Sequence, residues 1–266
     1  MRDINTLRSH HREAIIKFSE YISQDNKYMA LIVGGSIAKG YERENSDIDI
    51  MLVVSDEDFQ RYQRQNKLLY YANQFCNYPG GYIDGKIISE NYLRLVAERG
   101  SEVARSAFIG AWIEFSKIDK LNEILQKIPI YPKHEKEEKI EKFYAQFEYN
   151  KWAIDDALKL KNDYLLERCV ADLILFGGRL VLARNEILFP YHRWFMKTLE
   201  NVPEKPNNFI KLIKDLLEYP SHETVQNFYD SIKLFMDWKP RQHWSFTFMR
   251  DTELAWIDGK AYIGDI

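Results

Sequence analysis

Cysteine is nearly absent from this sequence. The 266 residues include two cysteines, Cys76 and Cys169, which lie far apart and lack the spacing of a zinc site. A framework of several disulfides is therefore excluded as the source of stability. Free thiols are expected, as in an intracellular protein.

The sequence also lacks a long apolar run and a strong net charge. No stretch approaches the length of a membrane span, and residues 1–5 contain no apolar signal core. The formal net charge of −3 provides no bulk attraction to nucleic acid. We therefore expect a cytoplasmic protein with no membrane partner and do not expect a nucleic-acid partner. The 45% hydrophobic content is sufficient for a real core.

A pair of glycines followed by a pair of carboxylates is the most informative pattern that is present. An apolar run leads into Gly34, Gly35 and Ser36, and a second apolar run follows Asp47 and Asp49. This order predicts a strand, a tight turn, a short helix and a second strand. Glycines let the backbone approach an anion closely, and a helix N-terminus offers free N–H groups to it. The turn is therefore predicted to bind phosphate.

The two carboxylates predict a metal site. Asp47 and Asp49 are two residues apart on the predicted strand, so their side chains point to one face. They repel each other unless a cation lies between them, and their oxygen ligands suit Mg²⁺. Asp84, in the alternating segment 82–88, would complete the site as a general base or as a ligand of a second metal ion. The alternatives are an ordinary exposed strand position for Asp84 and Glu90 as the base.

Gly-Gly-Ser, a gap of about ten residues, Asp-x-Asp and a later strand acid together resemble the DNA polymerase β-type nucleotidyltransferase superfamily. The resemblance covers about residues 25–120 and is greatest to the minimal members that modify small molecules, such as the aminoglycoside and lincosamide nucleotidyltransferases. It implies transfer of NMP from an NTP, expected to be ATP, to a hydroxyl of a small-molecule acceptor. Pyrophosphate would be released, and Mg²⁺ or Mn²⁺ would be the cofactor.

The resemblance also implies a role for individual residues. Gly35 and Ser36 would hold the β and γ phosphates, with help from Gly34, Lys39 and Ser46. The catalytic and metal-binding residues would be Asp47, Asp49 and Asp84. Two alternatives stay open: a nucleotidyltransferase that modifies a protein or a tRNA, and a nucleotide-binding regulatory module without transfer. The acceptor, the preferred NTP and the oligomeric state are left open.

The periodicity of the sequence indicates two domains. Residues 1–130 are predicted to form an α/β (α+β) domain with a small mixed sheet, and residues 131–266 an all-α helical bundle that binds the substrate. In the first domain, helices are predicted at 4–24, 56–75, 90–106 and 119–128, and strands at 29–33, 47–54, 82–88 and 109–115. In the second, helices are predicted at 136–162, 163–187, 191–201, 207–218 and 221–236, and the aromatic tail 244–263 is assigned to a final strand or to a wrap around the bundle.

Candidate acceptor contacts in the second domain come from two groups of residues. Tyr191, His192 and Arg193 follow Pro190 and would border a cleft, or else they begin a helix. Acidic residues of the first long helix would meet a cationic acceptor, or else they form its solvated face; these are Glu148, Asp155 and Asp156.

Overall fold

The computed structural model describes residues 6–265. The chain divides into two compact units after Ile130. The strands of the first unit are β1 Ala30–Val33, β2 Ile48–Val54, β3 Leu69–Ala72, β4 Ile83–Ser89 and β5 Trp112–Ser116. Its helices are α1 Ser9–Ser23, α2 Gly35–Lys39, α3 Asp56–Arg64, α4 Glu90–Arg99, α5 Glu102–Ser106 and α6 Leu121–Lys127. The small mixed sheet expected from the sequence is confirmed.

One five-stranded sheet in the order β3-β4-β2-β1-β5 organises this unit. The central pair, β2 and β4, is parallel, and Asp49 pairs with Asp84. The other neighbouring strands are antiparallel, and β3 adds an outer strand in which Tyr71 pairs with Asp84. The register therefore places Asp49, Asp84 and Tyr71 in one row across the sheet.

Helices cover both faces of the sheet. Ile15 and Phe18 of α1 pack in one core layer with Ile50 and other residues of β2. On the opposite face, α4 and α6 pack in a second layer that includes Met51 and Val53. Because side chains alternate along a strand, Asp49 shares its face with Met51 and Val53. That face of β2 is thus apolar at one end and acidic at the other.

The predicted helix over residues 56–75 is wrong in its second half. The helix ends at Arg64, and Asn66 then adopts the left-handed region with φ of 55°. Residues Leu69–Ala72 form β3 and pair with β4 instead. The apolar spacing of this segment suited a helix, but long-range hydrogen bonding to β4 determines its conformation, and tyrosine is well suited to a strand.

Other elements differ from the sequence prediction mainly at their ends. The predicted helix over 90–106 is two helices, because Gly100 adopts an extended conformation and Ser101 caps the second helix. The first helix begins at Ser9, and residues 4–5 of the predicted segment lie outside the described residues. Asp47 lies immediately before β2 rather than within it.

The second unit is an all-α bundle throughout its described residues, as predicted. Its helices are α7 Lys136–Leu160, α8 Asp163–Arg184, α9 His192–Asn201, α10 Phe209–Glu218, α11 His222–Phe235 and α12 Trp244–Thr252. The connection between α7 and α8 is short: Lys161 ends α7 in the left-handed region and the Asn162 side chain caps α8. Such a short connection makes the two long helices an antiparallel hairpin.

The aromatic tail is helical. Residues Trp244–Thr252 form α12, followed by 3-10 turns, and the alternative of a final strand is wrong. The tail packs on α7: the Tyr262 hydroxyl donates to Gln146 Oε1 at 3.1 Å. The buried Arg179 of α8 donates to the backbone oxygen of Ile263 at 2.8 Å.

Across residues 6–265, no helix combines the length and apolarity of a membrane span.

Candidate nucleotide and metal site

Three carboxylates meet at the acidic end of the central strand pair. One carboxylate oxygen from each of Asp47, Asp49 and Asp84 lies within 4.8 Å of the other two. Asp49 and Asp84 are brought together by their direct pairing across β2 and β4, and Asp47 precedes β2. The sequence could only assume this pairing, because residues 49 and 84 are joined by neither a turn nor a common element.

Gly35 is shaped around one of these carboxylates. Its φ is +63°, and a Cβ atom built on it would lie 1.7 Å from Asp49 Oδ2. The neighbouring Gly34 N–H donates to the Asp49 backbone oxygen at 2.9 Å. Any side chain at position 35 would therefore strain the backbone and displace the carboxylate. The glycine turn therefore packs directly against Asp49.

Two polar groups lie beside the acids on α2. The Ser36 hydroxyl is buried, with 9% of the residue exposed, and Oγ has no hydrogen-bond partner among residues 6–265. Lys39 lies at the end of α2; burial lowers its pKa, and the negative charge of Asp49 opposes that shift. An unpaired buried hydroxyl and a partly buried cation next to Gly35 are donors suited to a phosphate.

Asp84 has the most perturbed carboxyl group of the three. Burial, and then the charges of Asp49 and Asp47, raise its pKa from 3.8 to about 6. Its Oδ1 atom is buried without a hydrogen-bond partner in the described part of the protein. A carboxyl with this pKa is suited to receive a proton near neutral pH.

The segment before β2 is held in place by three residues that were not predicted as site residues. Tyr82 donates its hydroxyl hydrogen to Asp47 Oδ2 at 3.1 Å. The backbone oxygen of Ser46 accepts from the Tyr78 hydroxyl at 2.8 Å and contacts Nε2 of the buried His11 at 3.2 Å. The only sequence signal for Tyr82 was its place two residues before Asp84, since the other contacts join distant segments.

Ser46 and Glu90 have local partners. The Ser46 hydroxyl accepts from the Arg43 backbone N–H at 2.8 Å and so closes the turn before Asp47. Its own hydrogen is still able to donate to a phosphate. Glu90 lies at the start of α4 and accepts from Arg94 Nε at 3.0 Å. The two residues form an ion pair on the surface of the helix.

The candidate acceptor residues lie in the second unit. Tyr191, His192 and Arg193 are exposed, and α9 begins at His192, so the segment after Pro190 is a helix start, which was one of the two expectations. Tyr191 has a φ of +69°, and its ring lies 4.8 Å from that of His192. Their role in acceptor binding stays a prediction.

Glu148, one of the acids considered for a cationic acceptor, has partners inside the bundle. It accepts from the Tyr229 hydroxyl at 2.8 Å and pairs with Lys233 at 2.7 Å. Asp155 pairs with Lys151 of the same helix at 3.0 Å. These contacts account for Glu148 and Asp155 without an acceptor.

The chemistry of the site fits a divalent metal ion and a phosphate chain. Three clustered carboxylates, one with an unpaired buried oxygen, match the hard oxygen ligands that Mg²⁺ and Mn²⁺ take. Beside them, Gly35 makes room for the Asp49 carboxylate, and Ser36 offers an unpaired hydroxyl. Groups suited to a metal ion and a group suited to a phosphate thus lie side by side.

Comparison with known proteins identifies the family of the chain. The family model described as "Nucleotidyltransferase domain" matches residues 15–155, more than half of the sequence. A nucleotidyltransferase-like protein from Exiguobacterium sibiricum 255-15 is structurally similar with a TM-score of 0.48 and 10% sequence identity, over 84% of this chain and 73% of that chain. A search of the curated proteins gave no match. The chain therefore belongs to the nucleotidyltransferase domain family, within the DNA polymerase β-type nucleotidyltransferase superfamily.

Proposed function

We propose that this protein transfers the NMP group of an NTP, most simply ATP, to a hydroxyl of a small-molecule acceptor and releases pyrophosphate. The observation that carries the proposal is the approach of three carboxylates to within 4.8 Å of one another beside Gly35 and Ser36. The third carboxylate adds a group that can take up the acceptor proton, which a module that only binds a nucleotide does not need.

Asp47, Asp49 and Asp84 would hold the metal, and Gly35 and Ser36 would hold the terminal phosphates. Bound Mg²⁺ would supply charge neutralisation at the phosphates. The unpaired Ser36 hydroxyl donates to a phosphate oxygen. Lys39 adds a positive charge at the end of the same helix, and Gly34 and Ser46 complete the proposed nucleotide contacts.

Asp84 is the proposed general base. The acceptor oxygen attacks the α-phosphorus, the bond from that phosphorus to the bridging oxygen breaks, and pyrophosphate leaves. The acceptor proton passes to the Asp84 carboxylate, which lies beside Asp49 through the pairing of β4 with β2. Rigid placement of these groups by β2 and β4 supplies the orientation that such a displacement requires.

The proposal is tested by measuring thermal unfolding with ATP, GTP, CTP and UTP, each with and without Mg²⁺. A ligand at about a hundred times its Kd stabilises the native state by about 2.7 kcal/mol. We expect a Mg²⁺-dependent rise in Tm that is lost in Asp47→Asn and Asp49→Asn. Asp119→Asn, which changes an exposed aspartate of the same unit, is the matched control and should behave as wild type.

Turnover is then followed as pyrophosphate release with a panel of hydroxyl compounds. We expect release in the wild type and none in Asp47→Asn or Asp49→Asn. Label from α-labelled ATP that appears on a protein or tRNA instead would replace the small-molecule acceptor with a macromolecule. Tight Mg²⁺-dependent binding without pyrophosphate release from any acceptor would favour the regulatory module. Retained turnover in either variant would contradict the mechanism.

A further inference from the structure

A tight backbone contact joins α2 to the residues between α5 and β5. These are residues 107–111, which we call the α5–β5 segment. Gly110 has a φ of +75°, and a Cβ atom built on it would lie 2.3 Å from the backbone oxygen of Ala38 and 3.5 Å from the backbone nitrogen of Lys39. The segment therefore lies directly against the last turn of α2, and glycine is the residue that permits this approach.

The α5–β5 segment also lies next to the other end of α2. A Cβ atom built on Gly34 would be 3.5 Å from the backbone oxygen of Ala107, an ordinary van der Waals distance. Sheet pairing fixes this arrangement. Trp112 of β5 follows the segment and pairs with Val33 of β1, which precedes Gly34. The segment thus borders α2 both before its first residue and at its last turn.

The α5–β5 segment is anchored in the first unit. Phe108 is buried in the core layer on one face of the sheet. Its backbone N–H donates to the Arg105 backbone oxygen at 3.1 Å, and its own backbone oxygen accepts from Ala111 at 3.1 Å. The buried Arg105 side chain donates to the backbone oxygens of Gly100 at 2.9 Å and Ile128 at 3.3 Å. The segment is therefore a fixed support for whatever packs on it.

Resting on the proposed function, we infer that Gly110 is a positioning residue for the nucleotide, because it sets the place of Ser36 and Lys39. α2 has five residues, too few for a stable isolated helix, so its placement depends on the groups packed against it. A Cβ atom at position 110 would overlap the backbone of Ala38 rather than a flexible side chain. Relief of that overlap moves α2, and with it the groups proposed to hold the terminal phosphates.

The three carboxylates lie outside this contact. Asp47 immediately precedes β2, and Asp49 and Asp84 are held by the pairing of β2 with β4. A displacement that begins at Ala38, in the last turn of α2, should therefore weaken phosphate binding and leave metal binding nearly as it is. General destabilisation of the unit would not separate these two properties.

Gly110→Ala tests this inference, with Gly80→Ala as the matched control. Gly80 also has a φ of +75°, but no atom lies nearer than 4.0 Å to an added Cβ, so the control has the backbone strain without the contact. Calorimetric titration measures the Kd of a non-hydrolysable ATP analogue with Mg²⁺, and electron paramagnetic resonance the Kd of Mn²⁺. In Gly110→Ala we expect the Kd of the analogue to rise about tenfold and the Kd of Mn²⁺ to stay within about twofold of the wild-type value. Gly80→Ala should leave both values unchanged.

A double-mutant cycle with Ser36→Ala tests whether Gly110 acts through α2. Ser36→Ala should raise the Kd of the analogue about tenfold in the wild type but less than about threefold in Gly110→Ala, where the hydroxyl is already displaced. In Gly80→Ala it should have its full effect. If Gly110→Ala does not fold, Gly110→Asn takes its place, because asparagine adopts a positive φ more readily and still carries a Cβ atom.

Several outcomes would overturn the inference. They are an unchanged Kd of the analogue in Gly110→Ala, an equal rise in Gly80→Ala, a parallel rise in the Kd of Mn²⁺, and full additivity with Ser36→Ala. Absence of Mg²⁺-dependent binding of the analogue to the wild type, or an unchanged Kd in Ser36→Ala alone, would instead contradict the proposed function on which the inference rests.

Discussion

At the scale of single residues, the site is governed by the cost of placing three carboxylates together. Asp84 is in the least favourable position, because it is partly buried and faces Asp49 and Asp47. Burial and the two neighbouring charges raise the pKa of Asp84, and one of its oxygen atoms has no hydrogen-bond partner in the described part of the protein. A bound cation would relieve the repulsion and give that oxygen a partner. Tyr82 relieves part of this cost by donating to Asp47.

The raised pKa of Asp84 gives a pH dependence of stability in the metal-free protein. Its value is about 6 in the folded state against 3.8 as the ordinary value, so the folded state binds more protons between these limits. The free energy of unfolding therefore rises as pH falls through 6 toward 4. We expect a contribution of about 1–2 kcal/mol, discounted because the carboxyl is partly in contact with water.

Urea unfolding of wild type and Asp84→Asn at pH 7.5 and 5.0 measures this contribution. The variant is needed because burial, and then the charge of His10, lower the pKa of His11, so that stability from His11 is lost as pH falls below 6.5. The difference between the two proteins should be larger at pH 7.5, with Asp84→Asn the more stable there. A difference in the free energy of unfolding that is the same at both pH values would contradict a raised pKa for Asp84.

Tyr82→Phe should weaken metal binding without removing a ligand. The substitution keeps the ring and deletes the hydroxyl that donates to Asp47 Oδ2. Loss of a group that orients a metal ligand typically costs about tenfold to a hundredfold in affinity. Mn²⁺ titration followed by electron paramagnetic resonance measures the Kd. Tyr71→Phe, which keeps the neighbouring ring, is the control; equal affinity in all three proteins would show that the hydroxyl does not orient Asp47.

At the scale of elements, the site is a junction of β1, α2, β2 and β4. The turn from β1 into α2 contacts the Asp49 carboxylate, and β4 brings Asp84 beside it. Close approach is repeated at Gly85, where a Cβ would lie 1.8 Å from the Ile50 backbone oxygen. Glycines at these two positions allow the backbone to come close enough for the carboxylates to meet.

Gly35→Ala should lose more than backbone strain explains. A left-handed φ alone costs an alanine about 1–2 kcal/mol. Gly80→Ala isolates that cost, because Gly80 has a φ of +75° but no atom nearer than 4.0 Å to an added Cβ. In Gly35→Ala, the added Cβ also displaces Asp49. We therefore expect a larger fall in Tm for Gly35→Ala, together with loss of Mg²⁺-dependent ATP binding that Gly80→Ala retains. Equal effects in both variants would contradict the contact with Asp49.

At the scale of the whole molecule, the protein consists of two units stabilised in different ways. The first is a sheet covered by helices, and the second is a bundle built on the α7–α8 hairpin. In the second unit, the tail after α12 contributes to the core. The Arg179 guanidinium lies over the ring of Phe143, with its carbon 4.2 Å from the ring centroid, and donates to Ile263.

Removal of residues 262–266 should destabilise the second unit by about 2–4 kcal/mol. Arg179 loses the acceptor at Ile263, and Gln146 loses the Tyr262 hydroxyl. Thermal unfolding measures the change. Tyr262→Phe, which removes only the hydroxyl, is the milder control and should cost about 1 kcal/mol. A Tm equal to that of the full-length protein after the truncation would contradict a structural role for this segment.

Local sequence determined most of the elements and the identity of the chemical groups. Glycines before Ser36, acids before an apolar run, and prolines between helical segments are short-range signals, and they predicted β1, α2, β2 and the helical second unit. Residues that pair across the sheet leave no such signal. The sequence therefore predicted a helix where β3 forms, because the hydrogen bonds that make it a strand come from β4.

The tertiary structure alone decided which of the candidate residues meet. Asp84 reaches Asp49 because β2 and β4 pair in parallel, and Tyr71 joins that row because β3 pairs with β4. Burial and charge then raise the pKa of Asp84, a property of the folded site rather than of any segment. Residue types thus specified which chemistry was available, and long-range strand pairing specified where it is assembled, because distances between distant segments exist only in the folded protein.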